Sequence, residues 1–194
     1  MDAKRRFSFF VPFPVPFPFP FPILVLFLTG FVSTEVDAMD FTLASPAFHE
    51  GGAIPSRHTC DGRDLSPELN WQGVPEGSRS LVLIVEDPDA PDPAAPKRVW
   101  VHWVLYDIPP RVAGLSEGVV SLPRGTREGL NDWKRTGYGG PCPPVGRHRY
   151  FFRLQALDTE LSDLGHPDAA ALREAMKGHV LGEAVLMGTY ARAR

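Results

Sequence analysis

After residue 39 the hydrophobic positions fall in short runs that Gly, Pro and Asp interrupt. Short apolar runs with such boundaries are typical of β-strands. The clearest run, from Leu81 to Val85, stops at acidic residues and suits a buried central strand. The other predicted strands span 99–106, 150–157 and 184–190, with shorter candidates at 41–43 and 69–71.

One late segment has the composition of a helix. Pro167 suits the first turn, because its fixed φ fits a helix start and its missing N–H would have no partner there. The alanine-rich stretch 169–176 follows with high helix propensity, and Gly178 or Gly182 can end the helix. The pattern is mainly β with one or two C-terminal helices, which predicts a β-sandwich-like domain.

Residues 1–38 differ from the rest in composition. They hold nine of the 13 Phe, and Pro occupies every second position in the range 12–22. Alternate prolines exclude a helix, and the apolar stretch 23–32 is too short to span a bilayer as one. Three alternatives stay open: translation from Met39, giving a cytoplasmic protein; a signal segment, giving an exported or periplasmic one; or a retained tail.

The remaining residues, 39–194, are enough to bury one core, so a single domain is expected. The chain carries 20 basic and 23 acidic residues, which excludes the strong positive field that nucleic-acid binding uses. Two cysteines, Cys60 and Cys142, are too few for a disulfide-dense scaffold. A disulfide between them and two free thiols both remain open, because the bond requires Cα atoms within about 7 Å.

Two carboxylates follow the best predicted strand, in the segment Asp87-Pro88-Asp89-Ala90-Pro91. Proline fixes its own φ and restricts the residue before it, so both aspartates are held in fixed directions at a strand end. An ordinary polar turn is the alternative interpretation.

A second candidate is Trp100-Val101-His102-Trp103, inside a predicted strand. Side chains alternate faces along a strand, so we expect Trp100 and His102 on one face and Val101 and Trp103 on the other. An indole beside an imidazole suits the wall of a pocket. A histidine with satisfied hydrogen bonds in the core is the alternative.

The third candidate is the loop and strand start GYGGPCPPVGRHRY, residues 137–150. Its glycines allow the loop to approach a ligand with bare backbone amides. By alternation His148 and Tyr150 share a face, whereas Arg149 points away and is expected in a structural ion pair. A purely structural loop is the alternative.

Together these groups supply hydrogen-bond donors for a phosphate or carboxylate, while the aspartates either orient the imidazoles or bind a cationic part of the ligand. Two Asp and two His could also coordinate a divalent metal, which keeps a metal-dependent hydrolase as an alternative. No HExxH, Walker A or GxGxxG motif is present.

These motifs resemble the phosphatidylethanolamine-binding protein family, and most closely its bacterial and archaeal Raf-kinase-inhibitor-like branch. The resemblance covers about residues 40–192. It implies antiparallel sheets with late helices and a non-catalytic protein without a cofactor, whose small pocket binds a phospholipid head group or simple anion. Some members inhibit kinases or proteases, so an interaction module is an alternative function. By motif match the pocket residues are Asp87, Asp89, Trp100, His102, Gly140, Pro141, His148 and Tyr150.

The other polar segments carry weaker expectations. The segment 131–134 is expected to be a solvated loop, although it could flank the pocket. The four histidines outside the motifs have no organised neighbours and are expected to be structural or on the surface: His49, His58, His166 and His179.

Overall fold

The computed structural model describes residues 12–13 and 39–193. The predictions for the leader, residues 1–38, therefore lie outside the described residues except at 12–13. The described part contains one short 3-10 helix, Ser56–His58, one α-helix, α1 (Ala169–Ala175), and eight strands. The strands are β1 (Thr42–Ala44), β2 (Leu69–Gln72), β3 (Ser80–Asp87), β4 (Trp100–Ile108), β5 (Gly114–Leu115), β6 (Arg127–Glu128), β7 (His148–Leu157) and β8 (Val180–Tyr190).

The strands form two antiparallel sheets, one in the order β6-β4-β3-β7-β8 and one in the order β1-β2-β5. The predicted β-sandwich-like fold is confirmed. The described residues hold no helix long and apolar enough to cross a bilayer.

The six predicted strands are confirmed, and most extend beyond their predicted bounds. The observed helix is shorter than the predicted one, because it begins after Asp168. The Asp168 carboxylate caps the helix by accepting a hydrogen bond from the Ala171 N–H at 2.9 Å. Pro167 therefore precedes the cap and is not in the first turn. Gly182, offered as a helix end, lies within β8. The pattern missed β5 and β6, which have two residues each.

The run that predicted β3 is continuous because this strand is buried on both faces. Leu81, Leu83 and Val85 face the core between the two sheets. Val82 and Ile84 face a second cluster, which includes Leu172 of α1 and other residues on that side of the large sheet. A strand covered on both sides reads as apolar at every position instead of alternating.

The antiparallel register brings distant motifs to one end of the large sheet. Asp87, at the end of β3, pairs with Trp100, at the start of β4. Glu86 pairs with Phe151 on the other side, which places the start of β7 at the same end. The three motifs thus meet because neighbouring strands run in opposite directions.

Candidate functional site

A cavity of about 310 Å³ opens at this end of the large sheet. Four of the predicted site residues line it: Asp87, Trp100, His102 and His148. The other lining residues are Ala90, Pro91, Trp133, Cys142, Pro143 and Pro144. The cavity therefore joins all three sequence motifs, including the prolines of the third, with Trp133, which lies outside them.

A β-bulge turns His102 toward the cavity. Val85 pairs with Trp103 and Glu86 pairs with Val101, so β4 carries one extra residue, His102, opposite β3. Val101 consequently packs on the helix side of the sheet, while Trp103 packs between the sheets. The expectation that Val101 and Trp103 share a face is wrong for this reason, although Trp100 and His102 do line one cavity.

His102 is fixed by the backbone of the loop between β6 and β7, residues 129–147, here called the pocket loop. Its Nδ1 donates to the Gly139 carbonyl at 2.6 Å, and the residue is only 3% exposed. Burial lowers the pKa of His102 below the ordinary 6.5, because the charged ring would lose its hydration. A neutral ring with its proton on Nδ1 presents an unprotonated Nε2.

His148 uses both ring nitrogens within the protein. Nδ1 lies 2.7 Å from Asp87 Oδ2, and Nε2 lies 2.9 Å from the Val145 carbonyl. When Asp87 is ionised, each ring nitrogen meets an oxygen acceptor and must carry a proton, so both contacts are satisfied together by the imidazolium form. His148 and Asp87 thus form a buried ion pair in the cavity wall.

Asp89 does not line the cavity. Its carboxylate accepts hydrogen bonds from the side chain of Arg149 at 2.7 and 2.9 Å, and from the Arg149 N–H at 2.9 Å. These hydrogen bonds hold the pKa of Asp89 below its ordinary 3.8. Arg149 forms the ion pair expected of it, and the two aspartates of the motif have different roles.

Within residues 12–13 and 39–193, five buried side-chain polar atoms have no hydrogen-bond partner. Two of them, Trp100 Nε1 and His102 Nε2, belong to residues that line the cavity. A third is the hydroxyl of Tyr150, whose ring packs edge-on against His102 at 5.2 Å. Burial raises the pKa of Tyr150, so this hydroxyl keeps its proton. Unpaired buried polar atoms are rare and costly. Three of the five thus belong to predicted site residues, although Tyr150 itself is not among the residues that line the cavity. The other two belong to Trp103 and Thr126.

Trp133 forms part of the cavity wall, which corrects the expectation of a solvated loop at 131–134. Its ring packs edge-on against Trp100 at 5.3 Å and against His102 at 5.2 Å. The Asn131 side chain holds this part of the loop by accepting from the Trp133 N–H and donating to the Gly137 carbonyl. A tryptophan in a polar loop is itself a sequence signal of a binding surface. No short-range pattern, however, shows which part of the structure a loop side chain will contact.

Gly140 and Pro141 are buried against the turn after the 3-10 helix and are not among the cavity-lining residues. The Gly140 N–H donates to Asp64 Oδ1 at 2.7 Å, and a Cβ on Gly140 would lie 2.4 Å from the His58 carbonyl oxygen. The Gly139 N–H donates to the His102 carbonyl. These two amides serve the fold, so the expectation of bare loop amides facing a ligand is not met at Gly139 and Gly140.

Cys60 and Cys142 form a disulfide, with Cα atoms 5.4 Å apart. The bridge joins the turn after the 3-10 helix to the pocket loop. Both cysteines are exposed, and Cys142 lines the cavity. The bridge is thus a solvent-accessible part of the cavity wall.

No group of three or more His, Cys, Asp and Glu suited to hold a metal occurs within the described ranges. The carboxylate of Asp89 and both ring nitrogens of His148 are already engaged. The four other histidines also lie outside the cavity lining: His58 is buried and bonded to the Leu65 carbonyl, and His49, His166 and His179 are exposed.

The segment Gly114–Gly118 fits the spacing G-x-S-x-G of a hydrolase nucleophile turn. That chemistry requires a strand, a sharp turn and a helix, with a histidine near the serine. Ser116 instead follows the two-residue strand β5, is exposed, and precedes no helix before β6. The match is therefore one of spacing alone.

A larger cavity of about 540 Å³ lies between β1 and β8. It is lined by parts of 41–50 and 183–186, and it contains none of the five unpaired buried polar atoms. The smaller cavity is therefore the better candidate site.

The family profile described as phosphatidylethanolamine-binding protein matches residues 44–191. A UPF0098 protein of Methanothermobacter thermautotrophicus is 52% identical over 153 residues, which cover 77% of this chain and 98% of the relative. The crystal structure of the phosphatidylethanolamine-binding protein homologue CT736 from Chlamydia trachomatis shares 42% identity, with a TM-score of 0.73, and covers 79% of this chain and 98% of that one. The crystal structure of Escherichia coli YbcL shares 30% identity, with a TM-score of 0.72, over 80% of this chain and all of that one.

Proposed function

This chain belongs to the phosphatidylethanolamine-binding protein family, and we propose that it is a non-catalytic protein whose cavity at the end of β3 binds a small phosphorylated or carboxylated head group. The proposal rests on the cluster of unpaired buried atoms: Trp100 Nε1, His102 Nε2 and the Tyr150 hydroxyl. An unpaired buried polar group costs about 1–3 kcal/mol, and a bound ligand would remove that cost.

The donor and acceptor roles of these three groups restrict the chemical class of the ligand. Trp100 Nε1 can only donate, and the Tyr150 hydroxyl can donate or accept. The neutral His102 ring offers an acceptor at Nε2. A ligand that fits all three carries acceptor oxygens together with one O–H or N–H group. A singly protonated phosphate monoester has both, and so does a head group that combines phosphate and ammonium.

The charged side chains in the cavity wall leave it with little net charge. His148 and Asp87 neutralise each other in their ion pair, and both Asp87 oxygens are engaged, since Oδ1 accepts the Asp89 N–H at 2.8 Å. The pair thus orients one imidazole, one of the two roles expected of the aspartates. Trp100 and Trp133 give the wall an aromatic surface on which an alkyl or ammonium part of a head group can rest.

Isothermal titration calorimetry with phosphoethanolamine and with inorganic phosphate tests the proposal. Two variants each remove one unpaired group while retaining the ring or the loop contact: Trp100→Phe lacks the N–H, and His102→Gln can still donate to Gly139. We expect each to bind at least about tenfold more weakly, since a hydrogen bond to a charged group contributes about 1.5–3 kcal/mol. The exposed His166→Gln is the matched control and should bind as the wild type does.

If both variants bind with unchanged affinity, the cavity is not the head-group site. If the wild type binds neither probe, the alternative of a protein-interaction module inhibiting a kinase or protease becomes the better hypothesis. The compartment is part of the same proposal: an exposed disulfide persists in oxidising surroundings, which favours the exported or periplasmic alternative over the cytoplasmic one. Mass spectrometry of the mature N-terminus and of the two cysteines tests this.

A further inference from the structure

We infer that the Cys60–Cys142 disulfide is a redox control on the cavity: the cavity binds its ligand in the oxidised protein and loses affinity when a dithiol reduces the bridge. This rests on the proposed function, since it concerns the regulation of the same site. Three observations support it, namely the position of Cys142 in the cavity wall, its position between the carbonyls that hold the two histidines, and the exposure of the bridge.

Along the chain, Cys142 lies midway between the two residues whose carbonyls orient the imidazoles. Gly139, three residues before it, accepts from His102, and Val145, three residues after it, accepts from His148. The pocket loop therefore holds both rings through its backbone. Any movement of the loop at Cys142 reaches one or both of these hydrogen bonds.

The two halves of the loop are secured unequally. Before Cys142, the Tyr138 hydroxyl donates to the His58 carbonyl, the Gly140 N–H donates to Asp64, and the Pro141 carbonyl accepts from Cys60. These bonds remain when the disulfide breaks.

After Cys142 come Pro143 and Pro144, which have no backbone N–H to donate. Among residues 39–193, the disulfide is thus the last cross-link before Val145, the residue that holds His148 Nε2. Reduction should leave His102 in place and free both the cavity wall formed by residues 142–144 and the adjoining Val145.

Both cysteines are exposed, so a reductant can reach the bridge. A thiolate of the dithiol attacks one sulfur, forming a mixed disulfide, and its second thiol then closes to the oxidised dithiol. Two electrons pass to the protein, and a proton is taken up at each Sγ. The reverse reaction with an oxidised dithiol restores the bridge.

The first test is calorimetry of phosphoethanolamine binding to the full chain, oxidised and after reduction with dithiothreitol. If the freed loop occupies the binding arrangement about one tenth of the time, the affinity falls about tenfold. The double variant Cys60→Ser/Cys142→Ser should match the reduced protein and be unaffected by the reductant. Equal affinity, within about twofold, of the oxidised, reduced and double-variant proteins would overturn the inference.

A second readout needs no ligand and separates this inference from the proposed function. In the oxidised protein the His148 Nε2 proton, bonded to the Val145 carbonyl, should exchange slowly in nuclear magnetic resonance spectra, and the His102 Nδ1 proton should do the same. Reduction should speed exchange at His148 and leave His102 unchanged. If the reduced protein keeps both protons equally protected, the redox inference fails even where head-group binding is confirmed. If reduction exposes His148 but no form binds the probe, the proposed ligand class is wrong.

Discussion

Asp87 Oδ2 accepts a hydrogen bond from His148 Nδ1 at 2.7 Å across 61 positions of sequence. The side chains are 5% and 1% exposed, so the ion pair has almost no water around it. It links the end of β3 to the start of β7 within the wall of the cavity. His179 and Asp158 make an exposed pair of nearly the same length, 2.8 Å, with side chains 45% and 48% exposed. The two pairs have the same side-chain types and nearly the same length but differ in burial, so comparing them isolates the effect of burial.

We predict that Asp87→Asn destabilises the protein by about 3 kcal/mol, because it leaves a buried imidazolium without its partner charge. Asp158→Asn is the control and should cost less than about 1 kcal/mol, since an exposed pair is screened by water. Chemical denaturation at pH 7 measures both. Equal costs would show that His148 is neutral and that its contact with Asp87 is an ordinary hydrogen bond.

The stability of the protein should depend on the protonation of His102. Burial lowers its pKa in the folded state, so the unfolded chain binds the proton more readily. Stability is therefore lost as the pH falls below the ordinary histidine value of about 6.5. His102→Gln should make the dependence between pH 7 and 5 shallower by up to about 1.4 kcal/mol per pH unit, as measured by denaturant unfolding. The exposed His166→Gln is the control; equal slopes for the wild type and His102→Gln would contradict the prediction.

The Trp133 wall depends on a glycine beneath it. A Cβ on Gly139 would lie 2.5 Å from the Trp133 ring, although its backbone φ is not in the left-handed region. Gly139→Ala should displace the ring, cost about 1–3 kcal/mol of stability and weaken phosphoethanolamine binding. Tryptophan fluorescence and calorimetry measure these effects. Gly182→Ala in β8 is the control: its added Cβ would lie 3.0 Å from the Pro75 side chain, and the variant should leave ligand affinity unchanged.

Asp89 and Arg149 should support the fold without affecting ligand affinity. Arg149→Gln should cost about 1 kcal/mol at pH 7, a modest value because half of the arginine side chain is in water. The Arg149 guanidinium holds the pKa of Asp89 below 3.8, so this contribution is present above that pH and disappears as the pH falls through the lowered value. Acid titration of both proteins checks this. A large loss of phosphoethanolamine affinity in Arg149→Gln would return Asp89 to the binding site.

The sequence alone predicted six of the eight strands in the described residues, the late helix and the motifs that carry the chemistry. Burial on both faces makes β3 apolar at every position from Leu81 to Val85, and this signal is contained in a few consecutive residues. The motifs also placed Asp87, Trp100, His102 and His148 at one site, where the structure gathers them around one cavity.

Only the tertiary structure decided which group each polar atom meets. The bulge at His102 depends on the register against β3, the second partner of His148 comes from the pocket loop, and Asp89 turns to Arg149 instead of the cavity. At each of these positions, alternative long-range hydrogen-bond partners compete. Which partner has the lower free energy depends on distances in the folded chain, and a local sequence pattern does not contain those distances. The strands therefore follow from the order of residues along the chain, whereas the roles of the site residues follow from their packing.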